Sequence, residues 1–128
     1  MRIVGTLGLV LLLLASCKKE AGLGGLAKIR GKLFATDITT AGIAKDSGYL
    51  GNERIFISVS GNPVYFTDTR SSYDGSFEFK YLREGTYDVW AYSDCDTCVW
   101  KQQKVLISGI NISEKKQTVT IPDLRIIF

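Results

Sequence analysis

The sequence contains no histidine. That removes the commonest general base and the commonest metal ligand together. Its serines lack the base that would activate a nucleophile. Its carboxylates are scattered singly over strands and turns. No catalytic residue, metal site or cofactor is therefore expected. Lys45-Asp46-Ser47-Gly48 reads as a turn, not a phosphate loop. Long basic runs are also absent, and 16 Lys and Arg stand against 13 Asp and Glu, for a net charge of +3. So small a balance argues against nucleic acid as a partner. Beyond the first twenty residues nothing sustains a helical period of about 3.6. The one long apolar run, Ile3 to Ala15, is shorter than the roughly 20 residues a spanning helix needs.

That run follows Met1-Arg2 and has the length of a secretory h-region. It ends in Leu14-Ala15-Ser16-Cys17. These residues resemble a lipobox, the signal-peptidase II site of bacterial lipoproteins. An aliphatic residue stands three before the cut, small residues adjoin it, and a cysteine follows. The resemblance implies a signal peptide over 1–16 and a mature protein that begins at Cys17. Its sulfur would carry diacylglyceryl and its amino group often a further acyl chain, such as palmitate. A thiolate is the nucleophile this chemistry requires. Each buried methylene contributes about 0.8 kcal/mol, so two or three chains anchor firmly where one does so only marginally.

Cys17 is followed by Lys18-Lys19-Glu20, with no Asp directly after it. That start resembles many Bacteroidetes lipoproteins and leans toward the outer membrane, with the periplasmic or surface face left open. Residues 17–26, including Ala21-Gly22-Leu23-Gly24-Gly25, read as a short flexible tether. Residues 27–128 then form one domain, enough chain for a modest core.

Alternation with period two dominates that domain. Ile29, Gly31, Leu33 and Ala35 lie on one phase. Ile55, Ile57 and Val59 form another set, which Val64 and Phe66 extend. Phe77 and Phe79, then Tyr87, Val89 and Ala91, then Val105 and Ile107, then Val119 and Ile121 follow. The tail Leu124 to Phe128 is apolar and expected to pair. Turn signals separate these runs at Gly61-Asn62-Pro63, Tyr73-Asp74-Gly75, Arg83-Glu84-Gly85 and Gly109-Ile110-Asn111. The pattern predicts an all-β fold, a seven- to eight-stranded antiparallel β-sandwich with Greek-key connections. Asp37 to Asn52 breaks the rhythm and reads as a long polar loop, either a tolerated insertion or a functional element.

Several motifs sharpen this expectation. Ile29-Arg30-Gly31-Lys32-Leu33, Thr67-Asp68-Thr69, Asp74-Gly75-Ser76-Phe77-Glu78-Phe79 and Leu82-Arg83-Glu84-Gly85-Thr86-Tyr87-Asp88-Val89 occur in series. Together they resemble the carboxypeptidase regulatory-like domain, a transthyretin-like (Ig-like) β-sandwich, over about residues 27–122. The gap between Thr67-Asp68 and Gly75 is longer than in that family. The resemblance implies a non-enzymatic module that presents, spaces or binds. Asp74-Gly75 is a tight-turn pair with Gly suited to positive φ. Tyr87 is a candidate corner tyrosine whose hydroxyl satisfies a backbone group.

Two constellations could carry function. Cys95 and Cys98, an even pair in an exported chain, are expected to form a disulfide closing a turn at Asp96-Thr97. Its tight loop places any stabilisation at the low end of the usual range. A redox or metal role for the pair is a distant third reading, because a redox site needs cations nearby, yet the neighbours are Asp94 and Asp96. Two sulfurs without histidine do not complete a zinc site. Trp90, Tyr92, Trp100 and Tyr65 form the second constellation. Either they make an exposed patch that binds a glycan or an envelope protein, or the tryptophans pack beneath the long loop or a sheet edge. The expected partners are thus the membrane, through lipid on Cys17, and an envelope protein or glycan. Cys17→Ser is expected to leave a foldable domain but to move it from the membrane to the soluble fraction. Membrane retention of that variant on fractionation would contradict the lipidation expectation.

Overall fold

In the computed structural model, residues 20–39 and 41–128 are described, and most of the alternating segments become strands. Among the described residues there are nine strands: β1 (Leu23–Ile38), β2 (Ala44–Tyr49), β3 (Arg54–Val59), β4 (Thr67–Arg70), β5 (Ser76–Leu82), β6 (Gly85–Asp94), β7 (Gln102–Ile112), β8 (Thr118–Thr120) and β9 (Leu124–Ile127). No helix occurs among the described residues. The signal peptide and Cys17 lie outside them.

Two sheets form the sandwich. One has the antiparallel order β4-β3-β6-β7. The other is built on β1, which pairs with β2, β5, β8 and β9. Leu33 N donates to Gly75 O at 2.8 Å, and Leu33 O accepts from Leu50 N at 3.0 Å. Both groups of one residue point to the same edge, so β5 and β2 follow one another along it. The other edge receives Ile121 N at Arg30 O (2.9 Å) and Phe128 N at Thr36 O (3.1 Å), which places β8 and β9 there.

The expected all-β sandwich is found, but β8 and β9 run parallel to β1, so it is mixed, with nine strands among the described residues in place of seven or eight antiparallel ones. The cause is the path of the chain. β7 ends at Ile112 opposite Gly85, the 113–117 turn crosses to the other sheet, and the chain then runs alongside β1 in the same direction. Pro122, which has no N–H to give a ladder, separates β8 from β9.

The inward phases meet in one core. Ile29, Leu33, Phe77, Phe79, Leu82 and Leu124 of one sheet join Ile55, Ile57, Tyr87, Val89 and Ile112 of the other. Gly31 sits inside this layer for want of room. A Cβ there would come within 2.8 Å of Ile121 Cγ1 and 2.9 Å of Phe77 Cζ. The β4–β5 turn also follows expectation. Gly75 has φ +81°, and Asp74 Oδ1 accepts from Ser76 Oγ at 2.6 Å and Ser76 N at 3.1 Å. Those bonds hold the Asp74 carboxyl below its usual range.

Two expectations fail. The tether expected over 17–26 is structured from Ala21 onward. Gly22 N donates to the Tyr87 hydroxyl at 2.9 Å, and Arg83 N donates to Gly22 O at 2.8 Å. Leu23 and Ala27 both stand opposite Leu82, so residues 24–26 form a bulge. The glycines that suggest a linker instead supply the bulge conformation, with Gly24 at φ +115°. The polar loop expected over 37–52 holds β2, which pairs with Phe34–Ile38 of β1. Ala44–Tyr49 is exposed along nearly its whole length, so no apolar alternation marks it as a strand.

Tyr87 is a corner tyrosine in fact. Its ring is fully buried, and its hydroxyl donates to Arg83 O at 2.6 Å while accepting from Gly22 N. Tyr87→Phe leaves both backbone groups without that partner and is expected to cost about 1–2 kcal/mol. Burial raises the Tyr87 pKa above 10.0. The contribution is complete below that value and is lost as pH rises through the raised one. Chemical denaturation at neutral and alkaline pH should therefore show a difference between wild type and variant that shrinks in alkali. Equal stability at neutral pH would contradict the tie.

Candidate functional site

The outer face of the β4-β3-β6-β7 sheet is unusual. An antiparallel sheet commonly turns a polar face to water, yet here that face is aromatic. Register sets Phe56 opposite Trp90, and Trp90 opposite Leu106. Tyr92 stands opposite Lys104. The connection between β3 and β4 folds back over this row. Phe66 N donates to Ile57 O at 3.0 Å, and the Tyr65 ring lies 4.8 Å from Phe56 and 6.5 Å from Trp90. Phe56 also stacks on Trp90 at 5.8 Å and meets Tyr92 edge-on at 5.5 Å. Val64 and Phe66, expected to extend a strand, belong instead to this connection.

Asp88 pins the connection in place. Its carboxylate accepts from Ser60 Oγ (3.0 Å), Gly61 N (3.2 Å) and Gly109 N (3.1 Å). A buried carboxylate with three donors is a structural anchor.

Cations frame the aromatic row. Arg54 lies 4.8 Å from the Phe56 centroid and Lys104 lies 4.3 Å from that of Trp90. Arg54 Nε also donates to Asp68 at 2.9 Å, which raises the guanidinium pKa further. Trp90 is 2% exposed and Phe56 6%, whereas Tyr65 and Tyr92 are 43% and 41% exposed. Trp90 Nε1 and Ser58 Oγ are buried without a hydrogen-bond partner.

Beside Tyr92 the face opens into a cleft of about 450 Å³. Its walls are Arg54, Phe56, Arg70, Tyr92, Asp94 and Gln102, closed by Ile126, Ile127 and Phe128 of the C-terminal segment. A larger depression, about 680 Å³, lies over β1 and β5 and reaches Thr69 and Arg70 of β4. Charged side chains such as Arg30, Lys32, Glu78 and Lys80 line it, and its one ring, Phe77, is 4% exposed. It offers no stacking surface.

The sequence-predicted aromatic residues therefore separate. Tyr65, Trp90 and Tyr92 gather, but Trp90 is a packed base layer and not an exposed contact. Trp100 stands apart, 86% exposed, on the β6–β7 hairpin tip. Phe56 joins the cluster unexpectedly. Its outward phase in β3, shared in register with Trp90, is the signal that could have found it.

Cys95 and Cys98 form the expected disulfide, with S–S 2.01 Å and Cα–Cα 5.4 Å. Cys98 N donates to Cys95 O at 3.3 Å, and Cys95 N donates to Lys101 O at 2.9 Å. The bond closes the hairpin turn, and β7 begins at Gln102. No three His, Cys, Asp or Glu side chains among the described residues gather as a metal site.

No protein-family model matches the chain, and no curated protein matches it. Among solved structures it is similar to a Pseudomonas aeruginosa protein provisionally described as carbohydrate binding. That likeness has 16% identity and a TM-score of 0.49, and covers 82% of this chain and 91% of the other.

The different burial of the two tryptophans can be read directly. Trp100→Phe should leave a blue-shifted emission that resists acrylamide quenching, and Trp90→Phe a red-shifted, readily quenched one. Adding Tyr65→Ala to Trp100→Phe should shift the Trp90 emission to the red. Equal quenching of the two single variants would contradict the packed base layer.

Proposed function

We propose that the chain is a lipid-anchored, non-catalytic envelope module that binds a saccharide in the cleft beside Tyr92. The observation that carries this reading is the exposed Tyr92 ring set among planar hydrogen-bonding side chains. Tyr92 is 41% exposed and shares its cleft with Arg54, Asp94 and Gln102. The apolar face of a sugar ring stacks on such a surface, while its hydroxyls exchange hydrogen bonds with carboxylate, amide and guanidinium. Packing of Phe56, itself stacked on Trp90, against the Tyr92 ring holds it in position, which reduces the ordering cost on binding. The lack of histidine supports a binding role over catalysis. The apolar run from Ile3 to Ala15 and the Leu14-Ala15-Ser16-Cys17 sequence support the anchor.

A second reading, docking of an envelope protein, is favoured by the hairpin tip, where Val99 and Trp100 are 89% and 86% exposed. The two readings use different residues and separate cleanly. On a glycan array, wild type should retain a defined set of saccharides. Tyr92→Ala should lose at least tenfold in affinity for them with an unchanged melting temperature, while Trp100→Ala binds as wild type. Absence of any glycan retention by wild type, or release of reducing sugar from a bound glycan, would overturn the proposal. Loss of a co-purifying envelope protein in Trp100→Ala alone would favour the second reading.

A further inference from the structure

We infer that the end of the sandwich bearing Leu23, Leu26 and Tyr81 rests on the lipid headgroups, and that the Tyr92 cleft faces away from the bilayer. The inference rests on the lipid anchor at Cys17 proposed above. Only Lys18, Lys19, Glu20 and Ala21 separate Cys17 from Gly22. Gly22 is itself fixed to the domain by the Tyr87 hydroxyl and by Arg83 N. Fully extended, such a link spans at most about 18 Å. A domain held so closely cannot turn freely, and the end that carries Gly22 is the end nearest the membrane.

That end has the character of an interfacial surface. Leu23 is 50% exposed, Leu26 62% and Tyr81 66%. Leu23 precedes the bulge opposite Leu82, Leu26 lies in it, and Tyr81 precedes Leu82 in the chain. Tyr81 is held at φ 60°, a conformation that costs a bulky residue energy. It turns both Lys80 and Tyr81 to solvent. A tyrosine, two leucines and nearby cations form the composition that settles at a headgroup boundary. Arg83 and Lys115 line the same depression as Leu26, and Lys116 follows Lys115 in sequence. These three outnumber Glu84 and Glu114, which suits an anionic lipid surface.

The strands fix the other end. β6 starts at Gly85, where an added Cβ would come within 2.5 Å of the Ala21 methyl. It runs ten residues to Asp94, about 30 Å at the usual rise. There it meets the cleft and the disulfide tip. β9 runs the same way and ends beside Thr36, at the far end of β1.

The test uses the full lipidated chain with a single added cysteine, labelled with an environment-sensitive dye. Leu26→Cys reports the proposed contact and Ile43→Cys, 67% exposed in the wild type in the turn before β2, reports the far end. Both are reconstituted in phosphatidylethanolamine–phosphatidylglycerol vesicles with a headgroup-proximal nitroxide lipid. Dye at position 26 should be blue-shifted and quenched several-fold more than dye at position 43. Chain that floats with the vesicles but shows equal, weak quenching at both positions overturns the inference and leaves the anchor standing. Chain that does not float with vesicles removes the anchor, and the inference with it.

Discussion

One strand carries the pairing of an entire sheet. β2, β5, β8 and β9 all hydrogen-bond to β1, two in succession along each of its edges. The arrangement needs β1 to be long and continuous, and it runs 16 residues from Leu23 to Ile38. It also needs β1 to keep register along its length, because a slip of one residue would turn its buried face to water. Tyr87 helps to set that register from the opposite sheet. Its hydroxyl holds Gly22, immediately before the strand, and Arg83, immediately after β5. A single phenol thus joins the start of β1, the end of β5 and the core of the other sheet.

The second constraint is that β3 and β6 are buried on both faces. The inner face supplies Ile55, Ile57, Tyr87 and Val89, and the outer one Phe56, Ser58 and Trp90. A third layer is needed above the outer face, and the 60–66 connection with Tyr65 provides it. Asp88 secures that layer through its three donors. Tyr92 lies beyond its cover, with one ring edge against Phe56 and about two fifths of its surface free. The exposed ring and its rigid support thus arise from the same packing.

What was legible in the sequence was whatever one buried face imposes on a strand. Ile29, Leu33 and Ala35, or Phe77 and Phe79, announce their strands because period-two burial leaves a period-two pattern. β2 left no such trace, since Ala44–Tyr49 buries neither face and is held chiefly by backbone bonds to β1. The glycines before Ala27 misled for a related reason: composition cannot distinguish a flexible linker from a bulge that requires positive φ. The parallel placement of β8 and β9 depends on a crossover between sheets, which local patterning does not encode. The aromatic site was half legible. Residues out of phase with the core were visible at Trp90 and Tyr92, but which of them a folded-back connection would cover depended on Tyr65, a contact made across sequence.

The disulfide gains its significance from position more than from stabilisation. A loop as tight as Cys95–Cys98 removes little chain entropy on closure, so its energetic contribution is small beside that of the core. What it does is shape the turn at which β6 becomes β7, through the Cys98 N to Cys95 O and Cys95 N to Lys101 O bonds. The two cleft side chains nearest that turn, Asp94 and Gln102, are its flanking residues and face one another in register. Fraying of the hairpin would move both at once and leave Tyr92 with a mobile rim. A bridge of small energetic effect therefore preorganises the polar side of the cleft, while the aromatic row preorganises the other. In the saccharide cleft proposed above, the lack of histidine and the small net charge of +3 would leave selectivity to fixed shape and hydrogen-bond geometry rather than to titration or long-range attraction.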